Sequence, residues 1–227
     1  MRLRTLSIVS LTLCGLALTV AIGVSRTASA QGQQRLSDAM IKSAATEVPE
    51  LVKQLDLKPG MAVADIGAGF GAWTVAFGKY LGPQGRVYAT EMAEHQLTFL
   101  REHSAKEGLT NVTVLVAGER STGLPDACCD AILVRDAYHH FTQPVEVVRS
   151  MAAALKPGGR LAIIDFRPRP NSSVPEGVPA NRDGHGVPME IVINEVTANG
   201  FTLVSQHPQW SSTSQPANLF LLLFKKP

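Results

Sequence analysis

The feature that most constrains the fold is an apolar, strand-length run that ends in three alternating glycines, VADIGAGFG at residues 63–71. A helical pattern begins directly after it, at Ala72. Glycine lets the backbone turn sharply at the end of a strand and come close to a ligand. That ligand then lies at the positively polarised start of the following helix. The motif therefore predicts a ligand site at the first strand-to-helix junction of an α/β domain.

The rest of the chain alternates strand-length apolar runs with helix-patterned segments. The pattern predicts strands at 61–66, 86–91, 112–117, 131–134, 160–166, 201–205 and 219–224, and helices at 36–55, 72–81, 93–107, 145–155 and 189–198. Such alternation is typical of a parallel sheet covered by helices on both faces. The last two strands are joined without a helical pattern, and a parallel crossover usually needs a helix. We therefore predict a Rossmann-like, doubly wound α/β fold with seven strands, mostly parallel, and an antiparallel last strand.

The first 30 residues have the three parts of a secretory leader. Arg2 and Arg4 are followed by an uncharged, mostly apolar stretch at 6–24 and then by Ala28-Ser29-Ala30. Cleavage after Ala30 is expected. An uncleaved leader would instead act as a membrane anchor, because about 19 uncharged residues can just span a bilayer. Both alternatives predict an exported domain, periplasmic or extracellular, and cleavage leaves no stable membrane domain.

The chain is therefore expected to consist of the leader and two further parts. Residues 1–30 are the predicted signal peptide, residues 31–57 a predicted N-terminal helical cap, and residues 58–227 the main domain. The helix of the cap is expected to be interrupted at Pro49, because proline lacks the backbone donor that a helix interior uses.

The charge balance argues against a nucleic-acid partner. The chain has 21 basic and 19 acidic residues, and three of its arginines lie in the first 30 residues. The rest of the chain is therefore close to neutral and lacks the basic excess that binds a phosphate backbone.

The cysteines predict no disulfide framework. Outside the leader only the adjacent pair Cys128-Cys129 remains. Neighbouring side chains in a strand point to opposite faces of the sheet, so the pair is expected to consist of two small apolar fillers.

A carboxylate strengthens the prediction of a ligand site. Glu91 ends the second predicted strand, 20 residues beyond Gly71. At that position a carboxylate can accept hydrogen bonds from both hydroxyls of a ribose. The glycine loop and Glu91 together therefore indicate a nucleoside-containing ligand.

Four blocks of sequence resemble the class I S-adenosylmethionine-dependent methyltransferases. They read VADIGAGFG at 63–71, RVYATEM at 86–92, CDAILVRDAYHHF at 129–141 and LKPGGRLAIIDF at 155–166. The short form AYHHF followed by a proline resembles a bacterial, often exported, subgroup. The resemblance covers residues 55–225 and implies transfer of a methyl group from S-adenosylmethionine to an unidentified, small-molecule acceptor.

The resemblance also implies roles for individual residues in cofactor binding. It places Asp65, Gly67, Gly69 and Gly71 around the methionine half of the cofactor, Glu91 on its ribose, Met92 against adenine and Glu119 near the adenine amino group.

The acceptor is expected beyond the fourth strand, because ligands of open α/β sheets lie outside the carboxyl ends of the strands. This places Asp136, Tyr138, His139 and His140 near the transferred methyl group as candidate catalytic residues. Imidazole is the side chain poised to exchange a proton near neutral pH. We expect the two histidines to be unequal, one supporting the pocket and the other facing the acceptor.

A metal site is not expected, although several possible ligands converge in the predicted topology. These are Asp136, His139, His140, Asp165 and His185. Catechol-type O-methyltransferases have an Asp-Asn pair after the fifth strand, whereas here Asp165 is followed by Phe166. The departure argues against metal dependence.

Two other functions stay open from the sequence. A dinucleotide-dependent, NAD-type oxidoreductase would carry GxGxxG, but the third glycine of that fingerprint falls on Ala72. A noncatalytic nucleotide-binding module would keep the pocket without turnover.

Overall fold

A single mixed sheet organises the molecule. The computed structural model describes residues 36–210 and 218–227. The strands are β1 Ala62–Ile66, β2 Arg86–Glu91, β3 Val112–Val116, β4 Cys129–Arg135, β5 Leu155–Phe166, β6 Thr202–His207 and β7 Leu219–Lys225. Within these residues the seven strands lie in the order β3-β2-β1-β4-β5-β7-β6. This order places β1 and β4 side by side at the centre, with β2 next to β1 and β5 next to β4.

The direction of the strands confirms the predicted fold class. The pairs β1–β2, β2–β3, β1–β4 and β4–β5 are parallel. Strand β7 runs antiparallel to both β5 and β6. Its apolar run 219–224 is buried almost completely, as expected for a strand inserted between two others and covered on both faces.

Helices cover both faces of the sheet. They are α1 Asp38–Gln54, α2 Ala72–Leu81, α3 Glu94–Lys106, α4 Pro144–Ala154 and α5 Met189–Thr197, with short 3₁₀ turns at Tyr138–His140 and Ala180–Arg182. One apolar core includes α4 and α5, and the other includes α1 and α2. The sheet is therefore packed on both faces, and the carboxyl ends of its parallel strands lie along one edge.

Helix α1 lies inside the predicted cap and does not break at Pro49. It begins at the Ser37 cap, whose side chain accepts a hydrogen bond from the Met40 backbone, and runs to Gln54. The expected interruption is therefore wrong. The helix buries Val48 and Leu51 on either side of the proline, and this packing offsets the missing backbone donor.

The adjacent cysteines form a disulfide, contrary to the sequence expectation. Cys128 directly precedes β4, and Cys129 is the first residue of the strand. The preceding Ala127 has a positive φ of 48°. The alternation of side chains in a strand therefore does not apply to this pair, and the two sulfurs meet.

The predicted leader and its cleavage site lie outside the described residues. Among the helices that the structure does describe, we find none with the length and apolar character needed to cross a membrane.

Candidate active site

The glycine loop after β1 is joined to the end of β2. The backbone N–H groups of Gly67 and Ala68 donate to the Thr90 carbonyl at 3.0 and 3.1 Å. Gly67 has a φ of +68°, and a Cβ placed there would lie 2.7 Å from Cβ of Ala137. Only glycine fits this conformation and this close approach. The loop is therefore packed directly against the segment that follows β4.

Gly71 closes the loop and begins helix α2. It adopts the left-handed conformation, with φ +80°, at the N-cap. A Cβ at this position would lie 2.6 Å from a methyl carbon of Leu100 on α3. The close contact brings α2 and α3 together behind the loop, with the positive end of the α2 dipole directed toward it.

Glu91 connects the loop to the second strand through its carboxylate. One oxygen accepts from the Gly69 backbone N–H at 3.0 Å, and the other accepts from Met92 N–H at 2.7 Å. The side chain is half-buried. Each carboxylate oxygen has a further lone pair, so the group can hold the loop and still accept from ligand hydroxyls.

Asp65 lies under the loop at the end of β1. It is buried and accepts a 2.6 Å hydrogen bond from the Thr74 hydroxyl on α2. Burial raises the pKa of its carboxyl to about 6, although the hydrogen bond from Thr74 and the positive charge of Arg135 act to lower it. The carboxyl thus links β1 to α2 while remaining costly to ionise.

We predict that Asp65 makes the free energy of unfolding depend on pH. Between about pH 4 and pH 6 the folded state binds more protons than the unfolded state, so stability falls as pH rises. The raised pKa corresponds to a loss of about 3 kcal/mol across this window. Urea unfolding at several pH values should show that Asp65→Asn removes this loss. The exposed control Asp126→Asn should retain it, and equal pH profiles for wild type and Asp65→Asn would contradict the assignment.

The residues expected near adenine lie at the ends of β2 and β3. Ala117 donates to the Glu91 carbonyl at 2.9 Å, which keeps the two strand ends together. Met92 is 54% exposed, and Glu119 is also exposed. Their roles toward the base remain predictions, and the structure places them at the sheet edge that carries the glycine loop.

His139, in the turn after β4, is fixed by a buried carboxylate. Its Nδ1 lies 2.8 Å from one oxygen of Asp165, and its backbone N–H donates to the other oxygen at 3.1 Å. Both residues are almost fully buried. Asp165 lies on β5, and Asp136, with a φ of +55°, makes the turn after β4. The two strand ends therefore set the position of the His139 ring.

His140 and His185 lie beside His139. The ring centres of His139 and His140 are 4.0 Å apart, and that of His185 is 5.0 Å from His139 and 5.7 Å from His140. Desolvation of its ring, with the other imidazoles close by, lowers the pKa of His140 to about 4, although part of the residue is exposed. Burial also lowers the pKa of His185. At neutral pH both rings therefore carry free lone pairs.

The loop between β5 and α5 brings His185 back to the strand ends. The His185 carbonyl accepts from Arg169 N–H at 3.0 Å, and its own N–H donates to the Ser172 hydroxyl at 2.8 Å. Gly186 has a φ of +124°, and a Cβ there would lie 2.8 Å from the Arg167 carbonyl oxygen. The returning segment therefore packs closely against the segment that leaves β5.

The structure places Tyr138 away from the histidines. The residue is buried, and its hydroxyl donates to Glu195 on α5 at 2.8 Å. The buried Arg182 forms two hydrogen bonds of 2.9 and 3.0 Å with the same carboxylate. Burial raises the pKa of Tyr138 well above its ordinary value. Tyr138 therefore joins the 3₁₀ turn after β4 to helix α5. We assign it a structural role instead of the catalytic role expected from sequence.

A second buried ion pair connects α1 to the site and was missed by sequence reasoning. Arg135, the last residue of β4, makes hydrogen bonds of 2.9 and 3.0 Å to Glu47. Trp73 also donates to Glu47 at 3.2 Å, and the Arg135 guanidinium lies 3.7 Å from the centre of the Trp73 ring. The pair holds the end of β4 from the side of the cap.

Comparison with known proteins identifies the family. The family described as "Methyltransferase domain" matches residues 57–206, well over half of the chain. The chain belongs to the methyltransferase-domain family. Its sheet, with an antiparallel strand beside β5, agrees with that membership.

Individual methyltransferases are similar to different lengths of this chain. The ubiquinone/menaquinone biosynthesis C-methyltransferase UbiE of Burkholderia multivorans is 31% identical over 115 residues, which cover 51% of this chain and 47% of UbiE. The chain thus spans about half the length of the curated relatives that it matches. An S-adenosylmethionine (SAM)-dependent methyltransferase from Aquifex aeolicus superposes with a TM-score of 0.64 and 26% identity, covering 79% of this chain and 89% of that one.

Similarity of fold extends beyond proteins named as methyltransferases. The [4+2]-cyclase SpnF superposes with a TM-score of 0.67 at 15% identity, and the match covers 82% of each chain. At this identity the comparison shows the fold alone. The acceptor and the reaction therefore have to be argued from the site.

Proposed function

We propose that the protein transfers a methyl group from S-adenosylmethionine to a small-molecule acceptor. The observation that carries the proposal is the glycine loop at the end of β1, bound through Gly69 to the Glu91 carboxylate at the end of β2. Membership of the methyltransferase-domain family supports it, and the similarity to the Aquifex aeolicus enzyme supports the cofactor.

On the cofactor side, each residue has a task that follows from its position. S-adenosylmethionine supplies the methyl group, activated on a sulfonium. The loop 67–71 lets the methionine half come close to its backbone, and Asp65 ties the strand before the loop to α2 through Thr74. Glu91 accepts from the ribose hydroxyls, while Met92 and Glu119 flank the base. These residues act by positioning, which is the main requirement of an in-line displacement.

On the acceptor side, the chain supplies Asp136, His139 and His140. His139 is held by Asp165 and shapes the pocket. His140 is partly exposed, with a ring that is neutral at pH 7. The lone pair on its ring nitrogen is therefore available to interact with the acceptor, either directly or through a ligand bound between them.

The two other functions are less well supported. An NAD-type oxidoreductase does not account for the antiparallel strand between β5 and β6 or for the family match. A noncatalytic binding module would bind S-adenosylmethionine without releasing product, so binding alone does not separate it from an enzyme.

The deciding experiment measures product. Purified full-length protein is incubated with labelled S-adenosylmethionine and a panel of small-molecule acceptors, and S-adenosylhomocysteine is quantified. We expect acceptor-dependent S-adenosylhomocysteine formation and no comparable binding of NAD. Cofactor binding without product across the panel would favour the noncatalytic module, and tight NAD binding without binding of the sulfonium would overturn the proposal.

We also propose that the protein is exported and belongs to a bacterial, exported subgroup of the family. The charged and apolar pattern of residues 2–30 supports export, and so does the disulfide between Cys128 and Cys129, because disulfides persist in oxidising compartments. Expressed in a Gram-negative host, the protein is expected in the periplasmic fraction with Gln31 at its N-terminus. Intact-mass analysis tests this, and an uncut Met1 species in a soluble cytoplasmic pool would contradict it.

A further inference from the structure

We propose that His139, His140 and His185 bind a divalent transition-metal ion, with Zn²⁺ as the best match. Each offers a ring nitrogen, and these atoms lie within 4.8 Å of one another. Methyl transfer does not itself require a metal, so the proposal goes beyond the proposed function and is independent of it.

The first argument is the orientation of His139. Its Nδ1 is engaged by Asp165 at 2.8 Å, which leaves Nε2 as the nitrogen for a metal. Metal-binding histidines commonly use their other ring nitrogen in this way, because a carboxylate fixes the ring and raises its basicity as a ligand. Asp165 is itself fixed by the backbone N–H groups of His139 and Phe166. The carboxylate that orients this ligand is therefore already in place.

The second argument is convergence from two separate segments. His139 and His140 come from the 3₁₀ turn after β4, whereas His185 comes from the loop after β5. A tetrahedral zinc ion with Zn–N bonds of about 2.0 to 2.1 Å holds its nitrogen ligands about 3.3 Å apart. His140 is exposed and His185 is half-buried. Rotation of these two rings toward the fixed His139 can therefore complete the coordination.

The third argument is the chemistry of the donors. Three imidazoles suit Zn²⁺, Cu²⁺ or Ni²⁺, whereas Mg²⁺ and Ca²⁺ prefer oxygen ligands. The sequence expectation of no metal rested on comparison with a site in which an Asn would follow Asp165, and it did not consider how the three imidazoles are arranged. Here Phe166 packs its ring against His139 and His185, with centres 4.6 and 5.4 Å away. The aromatic ring forms an apolar wall beside the nitrogen cluster.

Three protein ligands leave one position of a tetrahedral ion open, as in catalytic zinc sites. Because His140 is exposed, this position is accessible to solvent and to an acceptor. A metal bound here would take an oxygen, nitrogen or sulfur atom of the acceptor and favour its deprotonated form. Where the protein transfers a methyl group as proposed, the site thereby points to acceptors with a hydroxyl, amine or thiol group; this step alone rests on the proposed function.

The test is a zinc titration of full-length protein that carries no affinity tag and has been treated with a chelator. Calorimetry without S-adenosylmethionine is expected to show one Zn²⁺ per chain. Co²⁺ should give the intense visible absorption of a four-coordinate ion. His185→Ala removes one ligand from a surface loop and should weaken zinc binding at least as much as Asp165→Asn, for which about 10- to 100-fold is expected from loss of the orienting carboxylate.

His207→Ala is the matched control, since His207 is also half-buried but lies on β6. It should bind zinc like wild type. Circular dichroism confirms that each variant is folded, and His185→Ala keeps the test decisive if the buried Asp165→Asn variant does not fold. The proposal is overturned if wild type binds no stoichiometric zinc or if His185→Ala and His207→Ala bind it equally. S-adenosylmethionine binding is measured separately, so that failure of the zinc proposal can be distinguished from failure of the proposed function.

Discussion

Replacing His140 by Asn is expected to lower the turnover number by about 100- to 10,000-fold, the usual cost of removing a group that moves a proton. The melting temperature and the affinity for S-adenosylmethionine should stay close to wild type, because the His140 side chain is partly exposed and lies outside the glycine loop. Steady-state kinetics with an acceptor identified by the panel measures the first quantity. Thermal unfolding and calorimetry measure the other two.

His139→Phe should, in contrast, lower the melting temperature. Phenylalanine keeps an aromatic ring but removes the nitrogen that lies 2.8 Å from Asp165. Leaving a buried carboxylate oxygen without such a partner lowers the free energy of unfolding by about 1 to 3 kcal/mol. In a chain of this size this corresponds to a melting temperature lower by roughly 2 to 12 °C. The principal effect of His139→Phe is therefore a loss of stability.

His207→Asn serves as the control for both variants, since it removes a histidine from β6. If the His140 variant keeps full turnover from pH 6 to 8, the acceptor side works by positioning alone. A loss of turnover agrees both with direct proton transfer and with metal binding by His140. The zinc titration of the same variant distinguishes these two mechanisms.

The convergence of the glycine loop with Glu91 could be predicted because these residues lie at fixed points of a repeating unit. Asp65 lies one residue before the end of β1 and Glu91 ends β2, and the carboxyl ends of parallel strands lie at one edge of the sheet. The spacing of one strand, one helix and one strand therefore brings the Glu91 carboxylate to the backbone of Gly69. The antiparallel position of β7 followed from the missing helix before it.

The arrangement of residues after β4 could be predicted only in part, because its contacts join distant segments. The 3₁₀ turn after β4 sends Tyr138 into the core and His139 toward Asp165. Alternation in an extended strand does not predict these directions. His185 depends on the path of a loop without periodicity, and the pair formed by Glu47 and Arg135 is separated by 88 residues. Such pairings are set by packing, which one sequence does not reveal.

Glu91→Ala is expected to weaken S-adenosylmethionine binding by about 10- to 150-fold, since charge-assisted hydrogen bonds to the ribose contribute about 1.5 to 3 kcal/mol. Part of the loss comes from the loop, because the Glu91 carboxylate also accepts from Gly69 at 3.0 Å. Calorimetry on the folded variant measures the change. The turnover number at saturating cofactor should fall much less, because Glu91 does not lie on the acceptor side.

Two further variants separate the contributions of charge and geometry at this position. Glu91→Gln retains an oxygen that can accept from Gly69 but has no charge and one acceptor fewer, so its affinity should lie between those of wild type and Glu91→Ala. Glu94→Ala removes a neighbouring acid whose side chain is 79% exposed, and it should bind like wild type. If Glu91→Ala binds as tightly as Glu94→Ala, the ribose is held elsewhere. If Glu91→Gln matches Glu91→Ala, the negative charge and the second acceptor dominate, and the bond to Gly69 contributes little to cofactor binding.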